Sequence, residues 1–239
     1  MVKRPVILFI ILLITASGFG LASLDGINHA SPGRAAIDSV DRQILYNGRI
    51  WKNEYLSVEG HQFLLSADFL PGIITIDDHI FENVLLRYDI HNDELLVQRD
   101  ANTVIRTNRE LISSFDIIFN GEHLHFVNFD GSPTGSLKGY YHLYYNSGIK
   151  IYVRYFKEIL SASMTNGLPR FNQLNTVILY ENDLYFKVDN RRDLLSLLGK
   201  EEQQKMIKKY IRKDYFKITK KDPSSFRRVV EYYESIVSQ

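Results

Sequence analysis

The chain has 239 residues, of which 45% are hydrophobic and 13% aromatic, enough apolar material for a sizeable core in one or two domains. Its formal net charge is +1, which argues against general nucleic-acid binding. It contains no cysteine, which excludes disulfides, thiolate metal clusters, thiol catalysis and a lipid-modified cysteine anchor.

Residues 1–22 read as a secretory signal. Lys3 and Arg4 form a basic n-region, Val6 to Ile14 an apolar run, and Gly20 and Ala22 supply the small residues of a cut after Ala22; a cut after Gly18 also fits. The apolar run is shorter than the roughly 20 residues a membrane-spanning helix needs, and a retained N-terminal anchor is the alternative. Export places the protein in the periplasm, at the outer membrane or outside the cell. Residues 23–43, rich in Gly, Ala, Ser and Asp, read as a flexible leader. Without residues 1–22, 27 basic residues face 28 acidic ones. They are unevenly placed: from Lys187 onward 14 Lys and Arg face 8 Asp and Glu, and the rest of the mature chain is acidic. The two parts can complement each other within the molecule, or the basic tail can present a face to an anionic partner.

Residues 44–188 show the grammar of an antiparallel β domain. Asn47-Gly48 between apolar residues predicts a hairpin. Trp51, the single tryptophan, reads as a core or staple residue. Phe63, Leu64, Leu65, Phe69 and Leu70 predict a strand or strand pair closed by Pro71-Gly72. Gly72 to Arg99 reads as short strands separated by Asp77-Asp78, Glu82-Asn83 and His91-Asn92-Asp93. Leu86, Tyr88 and Ile90 share one face, and Leu85, Arg87 and Asp89 the other, as in a sheet with one wet side. Further turns are predicted at Asp100 to Asn102, Asn120-Gly121, Asp130 to Ser132, Asn146 to Gly148 and Glu181 to Asp183. In the strand after Gly148, Ile149, Ile151, Val153 and Tyr155 form a core-like face. Ser161 to Arg170 reads as a polar loop.

Residues 189–239 change to helical grammar. Asn190 caps a helix that ends at Gly199, and a second helix over Glu201 to Lys213 carries Met206, Ile207, Tyr210 and Ile211 on one stripe. A third has Asp222 as its N-cap and Pro223 at the first helical position, and sets Phe226, Val229, Val230, Tyr233 and Ile236 or Val237 on one side. The expected fold is therefore α+β: about ten antiparallel strands in a curved sheet, sandwich or partly open barrel, followed by two to three C-terminal helices packed on it.

Two segments carry a resemblance. N-G-x-x-W-x-N-x-Y-x-x-V-x-G-H-Q-F-L from Asn47 to Leu64 and F-E-N-V-L-L-R-Y-D-I-H-N-D-E-L-L from Phe81 to Leu96 resemble an uncharacterised family of secreted and envelope proteins from Bacteroidota. The G-Y-Y segment and the Arg192-Asp193-Leu194-Leu195 helix followed by K-K-Y-I are similar to that family's C-terminal portion. The resemblance implies location and architecture, and no catalytic residue comes with it.

Candidate chemistry rests on residue types. Asp89, His91, Asp93 and Glu94 combine carboxylates with an imidazole, which can bind a ligand or hard metal or share proton transfer if they converge; turn-capping is the competing role. His123 and His125 point to one face of a strand and supply half of a zinc site, or a solvent-facing pair. No nucleophile elbow, P-loop, H-E-x-x-H helix or EF-hand loop is present. The expectation is a non-enzymatic envelope protein with a binding or structural role and no cofactor, its partner an envelope protein or an apolar ligand. A carrier of a lipid-like ligand within a curved sheet and a hydrolase of an envelope or glycan substrate are the alternatives. After signal removal no transmembrane segment is expected, and the basic C-terminal helices offer a peripheral contact.

Overall fold

The computed structural model describes residues 43–130, 137–165 and 167–238; the signal and leader, and part of the turn at Asp130 to Ser132, lie outside them. Eleven strands make one antiparallel sheet: β1 (Gly48–Ile50), β2 (Leu70–Ile76), β3 (His79–Asp89), β4 (Glu94–Gln98), β5 (Val104–Thr107), β6 (Ile112–Phe119), β7 (Glu122–Asn128), β8 (Tyr140–Tyr145), β9 (Lys150–Leu160), β10 (Arg170–Glu181) and β11 (Leu184–Val188). A helical turn, α1 (Ala162–Thr165), interrupts the polar loop before β10, and α2 (Arg191–Leu197), α3 (Glu201–Lys213) and α4 (Ser224–Val237) follow β11. The strand order is β1-β5-β4-β3-β2-β6-β7-β8-β9-β10-β11, so the sheet is open with two short edge strands. This is the expected α+β class in its curved-sheet form.

Turn chemistry explains the hairpins. Asp77-Asp78, Asn120-Gly121 and Asn182-Asp183 all have positive φ at both residues, the mirror-image geometry that matches strand twist and that Asp, Asn and Gly tolerate. Glu82-Asn83 behaves differently from the predicted turn. Gly72 pairs with Val84 and Ile74 with Phe81, so two residues of β3 oppose Ile73 alone, with Asn83 at φ 56°. This is a β-bulge; it bends β3 without ending it. Asn47-Gly48 also departs from the predicted hairpin. A helical turn at 43–45 buries Leu45, and Gly48 opens an edge strand that pairs with β5. A Cβ at Gly48 would overlap the Arg106 carbonyl oxygen, so glycine is needed there for backbone approach.

Two large hydrophobic clusters are built on the sheet. In one half, Tyr88, Phe115, Phe126 and Tyr140 form a ring cluster in which Phe115 and Phe126 stack at 4.7 Å and Tyr88 and Tyr140 meet edge to face at 5.6 Å. In the other half, Ile149, Ile151, Val153, Val177 and Leu179 are covered by Leu194, Leu198, Ile207, Ile211, Phe226 and Val229 from the helices. Each helix is too short to persist alone, and this burial is what holds it. The α2 caps agree with the reading from sequence: Asn190 Oδ1 accepts from the Arg192 and Asp193 amides and Gly199 sits at φ 66°; α4 begins one residue later than expected, with Pro223 rather than Asp222 at the N-cap, although Asp222 Oδ1 still accepts from the Ser224 amide.

The other face of β3 is not uniformly wet. Residues 51–69 form no long strand; they run beside the end of β3 as coil, with Phe63 bridged to Asp89, which is fully buried. Arg87 anchors this coil, with its guanidinium carbon 5.0 Å from the Trp51 ring centre, 4.0 Å from Phe63 and 4.2 Å from Phe69. Past Leu70 the coil takes β2's place beside β3, through Leu64 N–H to Tyr88 O at 2.9 Å and Ile90 N–H to Gln62 O at 3.1 Å. Lys157 of β9 then donates Nζ to the His61 and Phe63 carbonyls and its N–H to Ile90 O, at 2.7, 2.7 and 3.1 Å. Four strands separate β3 from β9 in the sheet, so these bonds require strong curvature at this end.

Candidate functional site

The β3–β4 turn collects the carboxylates, and the structure gives each its own partner. Asp89 Oδ1 accepts from the His91 and Asn92 amides and Oδ2 from Asn92 Nδ2, all at 3.0 Å. It caps its own turn, and burial, only partly opposed by those bonds, raises its pKa. His91 points the other way: Nδ1 is 2.8 Å from Lys157 O, and the ring meets Tyr55 and Phe171 edge-on. Strand parity aligns Asp89, His91 and Asp93 only while the chain remains extended, and β3 ends at Asp89.

Asp93, at φ 59°, ends the turn and is the hub of an ion network. Oδ1 accepts from the Tyr88 hydroxyl at 2.6 Å, and Oδ2 from Arg109 at 3.0 Å and Arg154 at 3.2 Å. Arg109 also pairs with Asp130, whose Oδ1 accepts from Gly139 N–H at 3.0 Å. Gly139 has φ 88°, and a Cβ there would overlap Asp93 Oδ2, so the network closes only around glycine. Burial, reinforced by the Asp93 charge, pushes the Tyr88 hydroxyl well above its ordinary range and keeps it a donor. Glu94, in turn, accepts from Arg106 across the sheet at 3.0 Å; burial raises its pKa despite that arginine.

These groups floor a polar groove of about 590 Å³ beside β1, lined by Arg49, Asp93, Glu94, Arg106 and Arg109 among others. Arg106 and Arg109 face in-chain carboxylates, whereas exposed Arg49 has no salt bridge among the described residues. Proton transfer needs a carboxylate or imidazole with a free, suitably placed lone pair. Here Asp89 is spent on its turn, Asp93 on two guanidiniums and a phenol, and Glu94 on Arg106. What the groove offers a ligand is charge and hydrogen bonding.

His123 and His125 both face Asp116 on β6: His125 Nδ1 lies 2.5 Å from Oδ1, and His123 Nδ1 3.5 Å from Oδ2. The third group was invisible to spacing because it comes from the neighbouring strand. Among the described residues no set of three or more His, Asp or Glu side chains is placed to hold a metal ion. No family model, characterised protein or solved structure matches the chain.

The reading from residue types did not pick out Arg49, Arg106 and Arg109. The available signal was the Arg106-Thr107-Asn108-Arg109 spacing at the end of a strand; Arg49 joins it only through the pairing of β1 with β5.

Proposed function

We propose that this chain is an exported, non-enzymatic binding protein whose contact surface is the polar groove beside β1. The observation that carries this reading is the commitment of Asp89, Asp93 and Glu94 to in-chain donors, beside an exposed Arg49 with no acidic partner among the described residues. A groove of mixed charge suits a polar partner, such as an extended segment of another envelope protein. A lipid-like ligand inside the sheet is less well supported, because aromatic side chains and helices pack into the two clusters built on it. Export rests on the basic and apolar opening of the sequence. Among the described residues no helix is long and apolar enough to cross a membrane.

The test is a photo-cross-linker at Asn108 in the full-length chain, expressed in its native host. A discrete protein adduct in the exported fraction that falls at least several-fold with Arg49→Glu is expected. An adduct indifferent to that substitution sinks the groove. Turnover in a broad hydrolase screen that disappears with Asp93→Asn would instead establish an enzyme.

A further inference from the structure

A second groove, of about 460 Å³, lies between α2 and α3 and is lined by Arg191, Arg192, Leu195, Ser196, Gln204 and Lys208. Its three cations have no salt bridge among the described residues. Three carboxylates close by in the sequence are engaged elsewhere, and Glu202 does not line the groove. Asp193 Oδ2 accepts from the Asp189 amide at 3.1 Å and Asn190 Nδ2 at 2.9 Å, Asp189 holds Lys220 at 2.7 Å, and Glu201 holds Lys205 at 2.9 Å. The groove wall is therefore cationic, with Ser196 and Gln204 as neutral hydrogen-bonding groups. Its floor is apolar, formed by Leu195, which is 7% exposed.

We infer that this groove binds the phosphate headgroup of an anionic phospholipid, docking the helical layer on a membrane surface. A free phosphate would need only the cations; the apolar floor suits the glycerol and first methylenes attached to a lipid phosphate. The excess of basic residues after Lys187 attracts the chain to an anionic bilayer, and each Lys or Arg near such a surface is worth roughly five-fold in binding. This inference is independent of the polar groove and stands or falls separately.

The test is sedimentation of the purified full chain with phosphatidylcholine vesicles, with or without phosphatidylglycerol. The N-terminal apolar run is common to all variants, so comparisons between them report the helical layer. Binding is expected to require phosphatidylglycerol and to fall on the order of twenty-fold with Arg192→Gln and Lys208→Gln together. Lys209→Gln with Lys213→Gln removes the same charge away from the groove and is expected to cost less than about a third of that factor. Ser196→Asp, which adds a carboxylate while keeping every cation, is expected to reproduce the loss. All these positions are exposed, so folding is preserved and circular dichroism checks it. Equal loss from both double variants, absence of a phosphatidylglycerol requirement, or displacement from vesicles by low concentrations of inorganic phosphate overturns the proposal.

Discussion

Asp93 and Gly139 depend on each other: the carboxylate fills the space a side chain would take at 139, and the glycine's positive φ admits the carboxylate. Asp93 was legible as a polar residue near a turn, but its role as an ionic hub was not, because Arg109, Arg154 and Gly139 reach it from three separate segments. His142 was not singled out at all. It is 8% exposed on β8, beside Phe126 and hydrogen-bonded to the Tyr155 hydroxyl at 3.0 Å, and burial lowers its pKa from 6.5 to about 4. A native state that keeps this imidazole neutral binds fewer protons than the unfolded chain between pH 6.5 and about 4. Stability is therefore highest above pH 6.5 and declines as pH falls through that window, by up to about 3 kcal/mol from this group. Asp89 opposes the decline at its acid end, since its raised pKa makes protonation easier in the folded state. Urea unfolding across pH 4 to 7 is expected to show the slope, and His142→Gln to flatten most of it; an unchanged slope would assign the effect elsewhere, His61 first.

Among the elements, the coil over residues 51–69 is the one that propensity misread. Its apolar residues predicted strand, yet Phe63 and Phe69 serve as faces for the Arg87 guanidinium, whose burial also lowers its pKa. The parity of β3 correctly separated Leu86, Tyr88 and Ile90 from Leu85, Arg87 and Asp89, but the coil packs on the second face at Arg87 and Asp89 and leaves Leu85 exposed. Arg87→Lys keeps the charge and loses the planar stack and the bond to the Ala67 carbonyl at 2.8 Å. The expected cost is about 1–2 kcal/mol, concentrated in the coil. Hydrogen exchange should show lost protection at Leu64 and Ile90 while the centre of β6 keeps its own. Uniform loss across the sheet would mean that the coil and sheet unfold as one unit. The hairpins, by contrast, were legible because Asp, Asn and Gly at positive φ are local requirements.

At the scale of the whole molecule, the C-terminal helices complete one of the hydrophobic clusters, the one built on β9 and β10. Phe226 is fully buried against residues of β9 and β10, and Phe226→Ala is expected to destabilise the fold by about 3–5 kcal/mol. Thermal or urea unfolding measures this, and a loss below about 1 kcal/mol would show that the helical layer is a loosely attached appendage. The lacing of residues 59–64 between β3 and the β9–β10 pair holds the sheet's curvature through main-chain bonds at Glu59, Gln62 and Leu64.

The sequence by itself determined the antiparallel class, most turns, the caps and the amphipathic stripes, because each depends on φ preferences or on periodicities of two and 3.6 residues within a short window. Tertiary structure alone decided that Glu82-Asn83 is a bulge, that Asn47-Gly48 leads into an edge strand, and which cations of the two grooves have no acidic partner among the described residues. Those outcomes depend on how separate segments pack: Gly48 against Arg106, Asp93 with Arg154, and the angle at which α3 returns beside α2. The segment from Gly72 to Arg99, rich in candidate ligands when read alone, is where that difference is greatest. Asp89 is satisfied within its own turn, whereas Asp93 and Glu94 take their arginines from other segments of the chain, because leaving a buried charge unpaired is costly.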